Sequence, residues 1–141
     1  MKISNLEENP ILKTIFIGIG NEFRNDDGVG IYIVRRLAKR NFPKVNILEL
    51  SGEGSELLEA WKEAEQVYIF DAVSSGAEPG TIFELNVHEE EIPSKFFSYS
   101  THNFSLAEAV ELSRVLNRLP ATLRIFGIEG KDFLGRQRII C

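Results

Sequence analysis

Three side chains that can bind a metal ion or move a proton occur on separate parts of this sequence: Asp27, Asp71 and His102. Asp27 closes a glycine-rich turn after an apolar run, and Asp71 follows the apolar stretch 67–70. His102 directly precedes a helical pattern that starts near Phe104. Two carboxylates and an imidazole suit borderline divalent ions such as nickel, zinc or iron, and they leave coordination positions open. Each residue alone also has a structural interpretation as a helix cap, a turn cap or a hydrogen-bonded histidine, but their combined placement favours a functional site.

The elements that would position these side chains alternate between strands and helices. Runs rich in β-branched and aromatic residues predict strands, and apolar residues at helical spacing predict helices. The predicted strands are 12–17, 45–50, 67–70, 81–87 and 123–128. The predicted helices are 28–41, 55–65 and 104–116. Ser55 is the predicted N-cap of the second helix.

The loop 74–80 decides the direction of the strand that follows it. Parallel neighbours need a crossover of about a dozen residues, so this shorter loop predicts an antiparallel strand at an edge of the sheet. The sequence therefore predicts an α/β fold: a three-layer sandwich with a mostly parallel, five-stranded twisted sheet and one antiparallel edge strand. Ligands of such sheets bind beyond the carboxyl ends of the strands, where all three candidate side chains are expected. The residues of the last helix that are expected to face inward are Leu106, Val110, Leu112 and Val115.

Composition narrows the class of protein. With 141 residues, 43% hydrophobic and 26% charged, the sequence is expected to form a single domain over 1–141. The formal net charge of -5 argues against nucleic acid or an anionic membrane as a partner. No apolar run reaches the roughly 20 residues that cross a bilayer, and 1–10 lack the apolar core of a signal peptide. A single cysteine, Cys141, leaves no internal disulfide or cysteine-based zinc site, so a cytoplasmic protein is expected.

Two other kinds of site compete for the glycine-rich turn 18–30. A dinucleotide-binding fingerprint requires glycine at position 23, but Phe23 stands there and would block the approach of a pyrophosphate. A phospho-acceptor receiver domain would use an acid pair after the first strand, Asp71, Thr101, and Lys131 after the last strand. That interpretation gives His102 no role. A receiver-like or metal-sensing binding domain is therefore kept as the non-enzymatic alternative.

Three further residues are assigned lesser roles. Asn21 is a candidate for holding the glycine-rich turn, and Asp26 for orienting Asp27 or recruiting substrate. His88 begins an acidic run at 88–91 and is interpreted as structural.

The order of these motifs resembles that of the hydrogenase maturation proteases, the endopeptidases that trim the C-terminal tail of the large subunit of [NiFe] hydrogenases. The similarity extends from Thr14 to the last strand. It is carried by IGIGN at 17–21, DDGVG at 26–30, FDA at 70–72, PGT at 79–81, STH at 100–102 with Leu106, and IFGIE at 125–129.

The resemblance implies roles for the three candidate residues. It implies that Asp27, Asp71 and His102 bind the metal, and that Asp27 and Asp71 are catalytic. The implied metal is nickel supplied by the substrate, with another divalent ion possible in its place, and the implied partner is a hydrogenase large-subunit precursor. Two mechanisms stay open: a metal that acts as Lewis acid and generates hydroxide, or nickel as a docking signal while a carboxylate activates water.

The C-terminal segment 131–141 departs from the family pattern. Members usually continue into a further helix that covers one face of the sheet, whereas this segment is short and contains Gly135. Gly130 also replaces the proline that the family usually has after its last strand. We therefore expect a shortened or missing C-terminal helix, and an apolar strip of the sheet that a partner or a second copy covers as a homo-oligomer.

Overall fold

The computed structural model describes residues 13–20, 28–93, 97 and 103–130. Its strands are β1 (Thr14–Ile19), β2 (Val45–Leu50), β3 (Gln66–Val73), β4 (Ile82–Asn86) and β5 (Thr122–Glu129). Its helices are α1 (Val29–Ala38), α2 (Gly54–Trp61) and α3 (Leu106–Val115). Within these ranges, none of the helices has the length and apolar character needed to cross a bilayer.

The strands form one five-stranded sheet in the order β2-β1-β3-β5-β4. β1 pairs in parallel with both β2 and β3, and β3 pairs in parallel with β5. β4 pairs only with β5, in the antiparallel direction, and forms one edge. This arrangement confirms the predicted fold class, the antiparallel edge strand and the central place of β3.

Alternate residues of each strand face opposite layers, and the larger core lies on the face that α2 and α3 cover. We call this the α2/α3 face. The buried side chains that meet there include Ile15, Ile17, Val67, Ile69, Leu123 and Ile125 from the sheet, with Leu57, Trp61, Leu106 and Val110 from the helices. The indole Nε1 of Trp61 donates to the hydroxyl of Ser113 at 3.3 Å, which joins α2 to α3.

The opposite face, the α1 face, is rich in aromatic rings. Phe70 stacks on Phe126 with ring centroids 5.2 Å apart, and Phe16 meets both Tyr68 and Phe70 edge-on. These four rings are half-buried, and α1 makes most of its contacts with β1 and β3. The predicted covering of an apolar strip depends on 131–141, which lie outside the described residues, so it stays a prediction.

The start of α2 corrects one sequence-based prediction. The N-cap is Glu53, and the helix begins at Gly54, so Ser55 is not the cap. The carboxylate of Glu53 accepts hydrogen bonds from the backbone N–H groups of Ser55 at 3.1 Å and Glu56 at 3.0 Å. Two free N–H groups of the first helical turn are satisfied in this way, by a longer acidic side chain than the usual cap.

Helix α3 corrects a second prediction. Leu106 and Val110 are buried as expected, but Leu112 is 38% exposed and Val115 is 79% exposed. The buried stripe continues from Val110 to Ser113, because residues three and four positions apart share a helix face. Ser113 is polar but small, and its bond to the Trp61 indole satisfies it in the core. The prediction that Leu112 and Val115 face inward is therefore wrong.

Candidate functional site at the carboxyl ends of the strands

Asp71 lies inside β3, two residues before the strand ends, and not just beyond the strand as predicted. The ladder with β5 continues past it, pairing Asp71 with Gly127 and Val73 with Glu129. Asp71 is 7% exposed, and its Oδ1 accepts a hydrogen bond from the backbone N–H of Ala72 at 2.8 Å. The alternation along β3 places it on the α2/α3 face. A buried carboxylate is thus held by the rigid central strand, near its carboxyl end.

Two glycines bring the start of α1 against the sheet beside Asp71. A Cβ added to Gly30 would lie 2.1 Å from the carbonyl oxygen of Phe70 and 2.7 Å from that of Ile19. A Cβ added to Gly18 would lie 2.5 Å from the carbonyl oxygen of Gly30. No larger residue fits at either position without moving backbone. The DDGVG motif therefore ends in a glycine that the packing of α1 on β1 and β3 requires.

This packing fixes both ends of the segment 21–27. At one end, the N–H of Gly20 donates to the carbonyl of Leu50 at 3.0 Å, and at the other, Gly28 precedes α1. Asn21, Asp26 and Asp27 themselves lie outside the described residues. Both attachment points are at the carboxyl end of β1, beside the strand that carries Asp71.

His102 also lies outside the described residues, but the chain that follows it is held at the same rim. The carbonyl of Phe104 accepts from the N–H of Gly54 at 2.8 Å, where α2 begins after β2. Glu108 accepts from the N–H and hydroxyl of Ser105 at 3.1 and 2.9 Å, which fixes the start of α3. Within the described part of the chain, no three metal-binding side chains come together. The ligand set of Asp71 with Asp27 and His102 stays a prediction.

Glu129 is a buried carboxylate to which the sequence alone assigns no role. It is 5% exposed, and Ser75 donates to it through its N–H at 3.0 and 3.1 Å and through its hydroxyl at 2.6 Å. The backbone of Glu129 also accepts from Gly80 and donates to Thr81, both at 2.8 Å. Glu129 therefore ties the loop after β3 to the end of β5. The signal in the sequence was an acid at the end of an apolar strand, the same signal that singled out Asp71.

The remaining candidates add little to this rim. His88 contacts the carbonyl of Pro120 through Nε2 at 2.8 Å, in agreement with its structural interpretation. Lys131 and Cys141 lie outside the described residues.

Comparisons with known proteins agree on one family. The family model for hydrogenase maturation proteases matches residues 31–133. A putative hydrogenase maturation protease of Methanocaldococcus jannaschii is 29% identical over 123 residues, covering 84% of this chain and 77% of that protein. The hydrogenase 2 maturation protease of Escherichia coli is 31% identical over 121 residues, covering 83% of this chain and 73% of that protein.

A solved structure gives the same result for the fold. The hydrogenase maturating endopeptidase HybD of Escherichia coli superposes with a TM-score of 0.70 at 26% identity, covering 91% of this chain and 79% of HybD. The chain spans only 62% of one further relative, a hydrogenase expression/formation protein of Rhodobacter capsulatus. From the family match and this shared fold, the chain belongs to the hydrogenase maturation protease family.

Proposed function

We propose that this protein is an endopeptidase that removes the C-terminal extension of a [NiFe] hydrogenase large-subunit precursor after nickel has been inserted. Family membership supports peptide-bond hydrolysis, and its relatives are named as hydrogenase maturation proteases. The proposed place of action is the cytoplasm, where an unprocessed precursor would meet it.

The observation that carries the proposal is the environment of Asp71. Its carboxylate is buried, it lies on the strand at the centre of the sheet, and Gly30 packs α1 against the carbonyl of the preceding Phe70. Burying a carboxylate costs free energy that a purely structural position avoids with an apolar residue. An acid retained at the carboxyl end of a central parallel strand is therefore explained best by chemistry at this rim.

The proposed site adds Asp27 and His102 to Asp71. In this proposal the nickel ion arrives with the substrate, and the three side chains complete its coordination, so that only a loaded precursor docks correctly. Carboxylate and imidazole donors suit nickel and other borderline divalent ions. The two carboxylates of Asp27 and Asp71 are also the groups proposed to orient a water molecule and accept its proton during attack on the peptide bond.

The test is to incubate the purified protein with nickel-loaded and with nickel-free large-subunit precursor and to follow the precursor by mass spectrometry. The proposal predicts loss of the C-terminal tail from the loaded precursor only. Cleavage of both precursors would contradict the nickel requirement, and cleavage of neither would contradict the peptidase. Labelling of Asp71 by a small acyl phosphate would instead support the receiver-like alternative.

A further inference from the structure

Among the residues that the structure describes, strand β2 is an edge of the sheet with no strand beyond it. It pairs with β1 over six consecutive residues without a bulge, and it contains no proline or lysine. Its only ionised side chain, Glu49, is bound by Arg35 of α1 through two hydrogen bonds of 2.7 and 2.8 Å. Proteins usually block an exposed edge with lysine, proline or a bulge, because a free edge can accept another strand. None of these devices is present on β2.

The hydrogen-bonding groups on the outer side of β2 can be assigned from the ladder. The carbonyl of Leu50 accepts from Gly20, so Leu50 turns its backbone groups toward β1. Alternate residues of a strand turn these groups to opposite edges, which directs those of Val45, Ile47 and Glu49 outward. Within the described ranges, these three residues have no backbone partner on that side. A row of donors and acceptors is therefore available to an extended chain.

A groove lies beside this edge on the α2/α3 face. Its volume is about 290 Å³, and its apolar lining includes Ile15, Leu48 and Ala60. The charged groups at its rim are already paired, Lys13 with Glu63 at 3.9 Å and Lys62 with Glu59 at 3.0 Å. The groove therefore offers an apolar side chain a place to bind, with little net charge around it.

Basic residues gather at the C-terminal end of α1, beside this edge. Arg35 on α1 pairs with Glu49 on β2, and Lys39, the C-cap residue of α1, follows Arg35 by one turn. Three further basic residues close to Arg35 in the sequence are exposed: Arg36, Arg40 and Lys44. No ion pair with a described carboxylate neutralises them. Acidic side chains are favoured on the α1 face of an added strand.

We propose that the edge of β2 binds an extended segment of the precursor as a sixth strand, with apolar side chains in the groove and acidic side chains toward α1. This inference rests on the proposed function, because it takes the tail of the precursor as the occupant. β2 ends at the Gly20–Leu50 hydrogen bond, where segment 21–27 with Asp27 begins, so a peptide along β2 leads to the rim of Asp71. Two copies of this chain paired through β2 would bring their basic α1 helices together, and like charges oppose that pairing.

The first test uses a synthetic peptide with the sequence of the precursor tail and measures its binding by fluorescence anisotropy. Ile47→Pro removes an outward N–H without breaking the β1 ladder, while Ile47→Ala loses the same packing and keeps the N–H. We expect Ile47→Pro to weaken binding about tenfold relative to Ile47→Ala, which corresponds to about one edge hydrogen bond. Equal binding by both variants would overturn the inference.

A second measurement does not depend on whether the proline variant folds. Peptides N-methylated at alternate positions are bound to the unaltered protein. N-methylation of the set that faces β2 is expected to abolish binding, and methylation of the other set to leave it intact. Ala60→Phe fills the groove and should raise KM for processing of the loaded precursor without changing kcat. The control, Val115→Phe at an exposed position of α3, should change neither constant. Equal effects of the two methylated sets would contradict strand addition.

The occupant is tested separately from the chemistry. Sedimentation that shows a dimer of the unaltered protein, lost in Ile47→Pro, would overturn the inference in favour of a second copy on this edge. Peptide binding at the β2 edge without cleavage of the loaded precursor would instead refute the proposed function, because binding and cleavage have separate readouts.

Discussion

Gly30→Ala is predicted to destabilise the protein strongly, although alanine is the better helix former. In a helix interior, replacing glycine by alanine gains up to about 1 kcal/mol of stability. At Gly30 the added Cβ would lie 2.1 Å from the carbonyl oxygen of Phe70, far inside the 3.4 Å at which ordinary contact begins. The obstacle is backbone in two neighbouring strands, which cannot rotate away. Overpacking of this kind costs about 1–3 kcal/mol, and contact with backbone puts Gly30→Ala at the upper end of that range. After subtraction of the gain in helix propensity, we expect a net loss of about 2 kcal/mol.

Gly28→Ala is the matched control. A Cβ at Gly28 would have no atom of the described residues within 4 Å, and the φ of -93° at this position is accessible to alanine. The only expected cost of Gly28→Ala is that alanine is a poorer N-cap residue than glycine. This difference is worth less than about 1 kcal/mol. The two variants make the same chemical change two residues apart, so their difference isolates the contact of α1 with the sheet.

The assay is urea unfolding followed by the fluorescence of Trp61, the only tryptophan, which is buried between α2 and α3. Gly30→Ala should unfold at a clearly lower urea concentration than Gly28→Ala, with a similar slope. If it folds at low temperature, it should also process the precursor more slowly, because α1 holds one end of segment 21–27. Free energies of unfolding that agree within about 0.5 kcal/mol would refute the close-packing argument.

Two other carboxylates give independent predictions. Glu129→Gln should cost about 1–3 kcal/mol of stability in urea unfolding, because the N–H and hydroxyl of Ser75 lose their charged acceptor, whereas Glu89→Gln on the surface should cost little. The hydrogen bond and charge of Arg35 hold the pKa of Glu49 below its ordinary value, so their stabilisation is present above pH 4.5 and is lost as the pH falls through the lowered pKa. Since the pair is partly exposed, the difference between Glu49→Gln and the unaltered protein should be about 0.2–1 kcal/mol at pH 7 and should shrink as the pH falls below 4.5; a constant difference would contradict this linkage.

The order of the elements could be predicted because it depends on local patterns and loop lengths. The loop 74–80 is too short for a crossover, and the structure has β4 antiparallel at the edge as this length requires. The apolar character of 67–70 also identified the central strand. The predicted strand ends too early, because the ladder between β3 and β5 continues past Asp71 and long-range pairing has no signal in a single sequence.

The finer errors arose where a contact between distant residues decides the outcome. Ser113 faces the core because Trp61 supplies its hydrogen bond, and this displaces Leu112 and Val115 to the outside. Glu129 is buried because Ser75, more than fifty residues away, satisfies its carboxylate. Asp71 was identified as a candidate from its position after an apolar run, but its burial depends on the packing of helices over the sheet.

The most direct test of the central claim compares Asp71→Asn with the unaltered protein on nickel-loaded large-subunit precursor, measuring the precursor mass over time. The asparagine keeps the size of the side chain and removes its charge and its capacity to accept a proton. We expect the variant to remain folded by circular dichroism and to leave the C-terminal tail in place, while the unaltered protein removes it completely. Removal of the tail at the same rate by both proteins would contradict the assignment of this buried carboxylate to the chemistry of the site.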